Sequence, residues 1–182
     1  MSARLIINGK KAERADVRDA VHRLRREGHA IDVRVTWERG DAARFVGEAA
    51  REGVDRVIAG GGDGSVSEIA NGLMAVDPAT RPAMGILPLG TANDFATACA
   101  VPTDPVGALA LAVRGTPVPV DLARANEGFF VNVASGGFGA AEAREPLPIN
   151  LDGEPIAEHR IRFAVAPGCL RMVLPADCPC LS

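Results

Sequence analysis

Val57-Ile58-Ala59-Gly60-Gly61-Gly62-Asp63-Gly64-Ser65-Val66-Ser67-Glu68-Ile69-Ala70-Asn71 is the stretch that decides how this chain folds. An apolar run enters a glycine loop and leaves it as a helix start, giving the order strand, loop, helix. The glycines permit positive φ and let a ligand touch bare backbone. A helix N-terminus adds N–H groups and a partial positive charge. A phosphate suits that surface, and Asp63 in its middle suits a metal ion or a reacting hydroxyl. The stretch therefore points to phosphoryl transfer. No Gly-Lys-Ser/Thr follows the glycines, and the spacing is not G-x-G-x-x-G, so two other phosphate motifs are absent. Taken alone, the loop also reads as a tight turn without a ligand. Ser65 and Glu68 fit an S-x-x-E capping box that would fix the helix start.

A second stretch repeats the design: Ile86-Leu87-Pro88-Leu89-Gly90-Thr91-Ala92-Asn93-Asp94-Phe95-Ala96. Gly90-Thr91 supplies flexible backbone and a hydroxyl, and Asn93 or Asp94 can cap the next helix. The two loops follow consecutive strands, so both can line one crevice at the carboxyl ends of a sheet.

The flanks support this. Leu5-Ile6-Ile7 is a short strand ending at Asn8-Gly9. Val17, Ala20, Val21 and Leu24 recur at helical spacing, and Gly28 stops that helix. Ile31, Val33 and Val35 alternate as a strand. Ala42, Phe45, Val46 and Ala49 mark a helix over 41–52, ended by Gly53. A helix to about Ala75, a strand at 83–87, and helices at 94–100 and 106–114 complete the alternation. Strands alternating with helices predict an α/β fold over residues 1–116, a three-layer nucleotide-binding domain with a parallel or mixed sheet. After Pro117 the pattern turns all-β. Residues 118–123 and 129–133 read as a hairpin around Asn126-Glu127-Gly128, and 161–165 with 170–174 as a second pair around Pro167-Gly168.

The chain has 182 residues, enough for one ample domain or one domain with a fragment of another. Its 47% apolar content supports a core, and its net charge of −3 gives no electrostatic case for nucleic acid. Tyrosine is absent and Trp37 is the single tryptophan, which also argues against a stacking platform for bases. No signal peptide or apolar run of membrane-spanning length is evident. The four cysteines form no disulfide framework. Cys178-Pro179-Cys180 is too short and isolated to read as a zinc site, so the cysteines read as core or tail residues. A reduced, cytoplasmic protein is expected.

The GGGDGS loop with E-x-x-N after it, followed by LPLGTANDFA, resembles the diacylglycerol kinase catalytic domain family, and within it the bacterial YegS-like lipid kinases. Ile7-Asn8-Gly9-Lys10, Val35-Thr36-Trp37-Glu38, Ser135-Gly136-Gly137-Phe138-Gly139, Asn150-Leu151-Asp152-Gly153-Glu154-Pro155 and Leu174-Pro175-Ala176-Asp177-Cys178-Pro179 support the likeness. GGDG alone is shared with NAD kinases and phosphofructokinases; LPLGTANDFA is the lipid-kinase form of the second loop. The resemblance implies an α/β nucleotide domain followed by a larger β-sandwich. Here Gly139 stands almost beside Asn150, so most of that second domain is missing. Residues 117–182 would be its truncated all-β remnant, with a junction near 140–149. Orphaned strands would pack on the first domain's sheet or pair two chains as a homodimer.

The resemblance also assigns roles. It implies ATP at Thr36, Gly62, Asp63, Gly64, Ser65, Val66, Ser67, Glu68 and Thr91, with Ser65 replacing the usual threonine. It implies Glu154 as the general base toward a lipid hydroxyl, with Asp63 assisting through Mg²⁺ or the acceptor. Without it, Asp152-Gly153-Glu154 reads as a hairpin turn. The family's separate structural metal site, a second divalent cation such as Ca²⁺ in full-length members, lies in the missing stretch, so no metal ligand is assigned. Lys10, Lys11 and Arg14 read as solvated surface. Two functional expectations follow. One is an ATP-dependent lipid kinase acting on a phosphatidylglycerol- or diacylglycerol-like alcohol, peripheral at the inner membrane. The other is a catalytically dead nucleotide-binding remnant.

Overall fold

A computed structural model describes residues 1–126, 128–131 and 162–181, together with the backbone of strands at 134–136, 147–151 and 154–158. Strands β1 (Ser2–Asn8), β2 (Ala30–Thr36), β3 (Arg56–Gly61) and β4 (Ala83–Pro88) run parallel in the order β2-β1-β3-β4. Helices α1 (Ala15–Arg26), α2 (Asp41–Arg51) and α3 (Asp63–Met74) make the crossovers. The first crossover runs from β1 outward to β2 and the second returns past β1 to β3, so the winding reverses between β1 and β3.

Both faces of this sheet are covered, which is why β4 and β3 beyond Arg56 read as apolar runs, and both strands are buried throughout. Alternate residues serve opposite cores. Ile6, Val57, Ala59, Met84 and Ile86 pack with α2 and α3; Leu5, Ile7, Ile58 and Leu87 pack with α1 and α5 (Pro105–Arg114). Two guanidinium groups are buried within the sheet: Arg4 on β1, 2% exposed, pairs with Asp32 at 2.9 Å and Glu52 at 2.6 Å, and Arg56 at the start of β3 donates to the carbonyls of Ala112 and Gly115. Such charges are tolerated when their donors are satisfied.

The strands after Pro117 enter the same sheet. β5 (Pro117–Ala125) and β6 (Gly128–Phe130) pair antiparallel, as the hairpin reading expected. The second expected hairpin is not formed. Phe163–Val173 is one continuous strand, here β10, lying between β4 and β5 in the seven-stranded order β2-β1-β3-β4-β10-β5-β6. Pro167-Gly168 makes a bulge instead of a reversal. The register to β5 breaks between Ala166 and Leu170, Gly168 sits at φ 57°, and its N–H donates to the Asp121 carboxylate at 2.7 Å. The sheet is therefore mixed, with β10 parallel to β4 and antiparallel to β5. A separate sheet holds β7 (Ala134–Gly136), β8 (Leu147–Leu151) and β9 (Glu154–Glu158). Among the described residues, no helix is long and apolar enough to cross a membrane.

Candidate active site

The parallel strands put their carboxyl ends on one edge, beside the point where the winding reverses. A cleft of about 1200 Å³ opens there. Thr36, Gly62, Gly64, Ser65, Ser67 and Glu68 lie on its wall. Asp63, Val66 and Thr91, also expected at the nucleotide, do not line it. Val66 is buried in the core under α3, and Thr91 is exposed in the second loop. Trp37 stands at the cleft, 93% exposed. A smaller depression of about 400 Å³ at the amino-terminal edge lies around Arg56 and Arg81. Those guanidinium groups donate to the carbonyls of Ala112 and Gly115, and of Val76 and Cys169, so they are structural clamps.

The two glycine loops interlock. A Cβ on Gly90 would sit 2.6 Å from the Gly62 Cα, and a Cβ on Gly62 would sit 3.1 Å from the Gly90 Cα. The Leu89 N–H donates to the Gly61 carbonyl at 2.7 Å. Asp63 completes the join. Its carboxylate accepts the N–H groups of Asp94 and Phe95, both at 3.1 Å, and so caps α4 (Asp94–Ala98) from the neighbouring loop.

Two capping assignments are corrected by this geometry. Ser65 is not an N-cap: α3 begins at Asp63, and the Gly62 carbonyl accepts the N–H groups of Ser65 and Val66. The helix starts earlier because Gly62 is extended and turns the chain directly into it. The donors that α3 can present to a ligand are therefore the amides of Asp63 and Gly64. Asn93 does not cap α4 through its side chain either. It adopts φ 54° and clamps Gly90 from both sides, accepting its N–H at 2.8 Å and donating to its carbonyl at 3.0 Å. Asp63 is free to supply the missing cap because the loops touch at the glycines.

Gly64 has the opposite setting to Gly90. A Cβ there would meet nothing within 4 Å, so bare backbone faces open cleft. Across the cleft, Gly9 approaches β2 so closely that a Cβ would lie 2.5 Å from the Thr36 carbonyl oxygen. The connection after Thr36 is held by Asp41, whose carboxylate accepts the N–H groups of Trp37 at 2.7 Å and Glu38 at 3.1 Å. Those two amides, then Arg44, hold the Asp41 carboxyl at about 2. Asn71 joins α3 to β6: it donates to the Phe129 carbonyl at 2.8 Å and accepts the Phe129 N–H at 2.9 Å.

The sequence reading gave no role to Asp41, Asn71 or this use of Asn93. The E-x-x-N spacing was the signal for Asn71, since a residue three after Glu68 lies on the same face of α3, and both line the cleft. Glu154 opens β9 opposite Leu151, the register of a two-residue hairpin. Its side chain, with Asp152 and Gly153, lies outside the described residues.

The comparisons with known proteins agree with the fold. The family model for the diacylglycerol kinase catalytic domain matches residues 2–125. A probable lipid kinase YegS-like protein of Yersinia enterocolitica is 53% identical over 153 residues, 82% of this chain and 52% of the relative. One from Serratia proteamaculans is 54% identical over 155 residues, 83% of this chain and 51% of the relative. The chain thus spans about half the length of the curated relatives it matches. The crystal structure of a diacylglycerol kinase from Bacillus anthracis superposes with TM-score 0.73 at 20% identity, covering 96% of this chain and 97% of that one, a likeness of fold. With 124 of its residues under the family model and interlocked glycine loops at the expected strand ends, the chain belongs to the diacylglycerol kinase catalytic domain family and is related to probable lipid kinases.

Proposed function

We propose that this chain is an ATP-dependent lipid kinase, transferring the γ-phosphate of ATP to a hydroxyl of a phosphatidylglycerol- or diacylglycerol-like lipid at the inner membrane surface. The observation that carries the reading is the open backbone of Gly64, beside a helix N-terminus, on a cleft large enough for a nucleotide. Thr36, Ser65 and Ser67 add hydroxyls to the same wall. Thr91 belongs to the loop locked against Gly62, so it would close the nucleotide's other side.

Mg²⁺ would offset phosphate charge when bound. Such an ion is usually held by one or two carboxylates plus phosphates, and Glu68 on the cleft wall would supply one. Asp63 also fixes the second loop through α4 and so holds the two halves of the phosphate site in register. Glu154 is assigned as the base that accepts the lipid hydroxyl's proton.

A second reading has a specific observation in its favour. The matched segments span about half of each relative's length, and the alternative is a nucleotide-binding remnant without turnover. The test is radiolabelled ATP turnover with mixed phospholipid vesicles and Mg²⁺, comparing the chain with Glu154→Gln and Asp63→Ala. Lipid-dependent transfer lost in both variants supports the kinase. ATP bound with no transfer in any form supports the remnant.

A further inference from the structure

Cys99 is the cap residue at the end of α4, whereas Cys178 and Cys180 lie in the tail after β10. In sequence the tail pair stands alone. The fold removes that isolation: the three Sγ atoms lie within 4.8 Å of one another. Cys99 and Cys178 are buried and Cys180 is exposed, so the group reaches from the core to the surface. All three thiols are free, and among the described residues no histidine or carboxylate joins them.

We propose that Cys99, Cys178 and Cys180 form a three-thiolate site for a soft, thiophilic cation, with Zn²⁺ as its probe. Zn–S bonds of about 2.3 Å place sulfurs roughly 3.8–4.0 Å apart, so a movement of about an ångström brings these onto one ion. An all-sulfur donor set selects against Mg²⁺ and Ca²⁺, which take oxygen. Cys180 at the surface gives an entry path and leaves a fourth position for water. The ion would tie the tail to the end of α4, whose start is held by Asp63 from the glycine loop. It would thus brace the second loop from its far end. This inference does not depend on the kinase reading.

The test uses the full chain, reduced and then freed of metal under inert gas. Co²⁺ is titrated and thiolate-to-cobalt charge-transfer absorbance recorded, followed by displacement with Zn²⁺. The expected result is saturation at one Co²⁺ per chain and loss of the band on adding Zn²⁺. Losing a direct ligand in Cys180→Ser should weaken binding at least about tenfold, since even outer-shell losses cost that much. Cys180 is exposed, so that variant should fold, and thermal melting checks that it does. Cys169→Ser, outside the group, should bind as the parent does. Absence of the band, equal affinity in Cys180→Ser, or a disulfide among the three thiols in place of metal binding would each overturn the proposal.

Discussion

Gly90 and Asn93 lie where one methyl group decides whether two loops meet. The Gly90 position leaves no room for a Cβ, because the neighbouring atom is backbone of Gly62 and not the end of a flexible side chain. Asn93 holds Gly90 there with two hydrogen bonds while itself adopting φ 54°, a conformation asparagine accepts more readily than alanine. Asn93→Ala should therefore lose about 1–3 kcal/mol in urea unfolding. Asn93→Gly keeps the backbone conformation and loses only the clamp, so it should be the milder of the two. Equal stability of both variants with the parent would show that the clamp does not hold the loop.

At the scale of elements, the connection from β2 to α2 forms one wall of the cleft and depends on one carboxylate. Asp41 accepts the amides of Trp37 and Glu38 and sits near 2, below the unfolded value of about 3.9. A carboxyl depressed on folding contributes stability that is complete above its unfolded pKa and is lost as pH falls through its folded one. Stability measured from pH 6 down to pH 2 should thus show the advantage of the parent over Asp41→Asn shrinking between about pH 4 and about pH 2. An advantage constant across that window would assign the role of Asp41 to shape and not to charge. The elements themselves differ in how far they could be read. The strands and helices up to Arg114 follow apolar periodicity and glycine stops, which are local signals. The capping box misled because Ser65 and Glu68 satisfy its pattern while Gly62 already starts the helix. The cap on α4 comes from Asp63, 31 residues away, and no local pattern carries that information.

For the whole molecule, the alternation of strands and helices makes the parallel α/β part legible, but it does not place the last strand. β10 enters between β4 and β5, pairing with a strand that lies 88 residues earlier at Met84↔Met172, and Pro167-Gly168 looks in sequence like any turn. The fold converts it into a bulge because the Asp121 carboxylate receives the Gly168 amide. The same closure brings Cys178 and Cys180 to Cys99, which is why a tail pair with no apparent partner acquires one. The glycine loop was legible because glycine, helix start and hydroxyls are contiguous; its coupling to the second loop was not.

Gly64 offers the sharpest test of that loop, since its two possible roles predict opposite results. Its φ lies outside the left-handed range and a Cβ meets open space, so Gly64→Ala should fold at least as well as the parent, gaining up to about 1 kcal/mol. The same methyl would stand where phosphate oxygens must approach the backbone. Calorimetric titration with MgATP of the chain and of Gly64→Ala is therefore the decisive measurement. One site per chain, weakened at least about tenfold in the variant while its stability holds or rises, is the result predicted here. Equal MgATP affinity in the two proteins, or no binding to either, would contradict a phosphate site at the glycine loop.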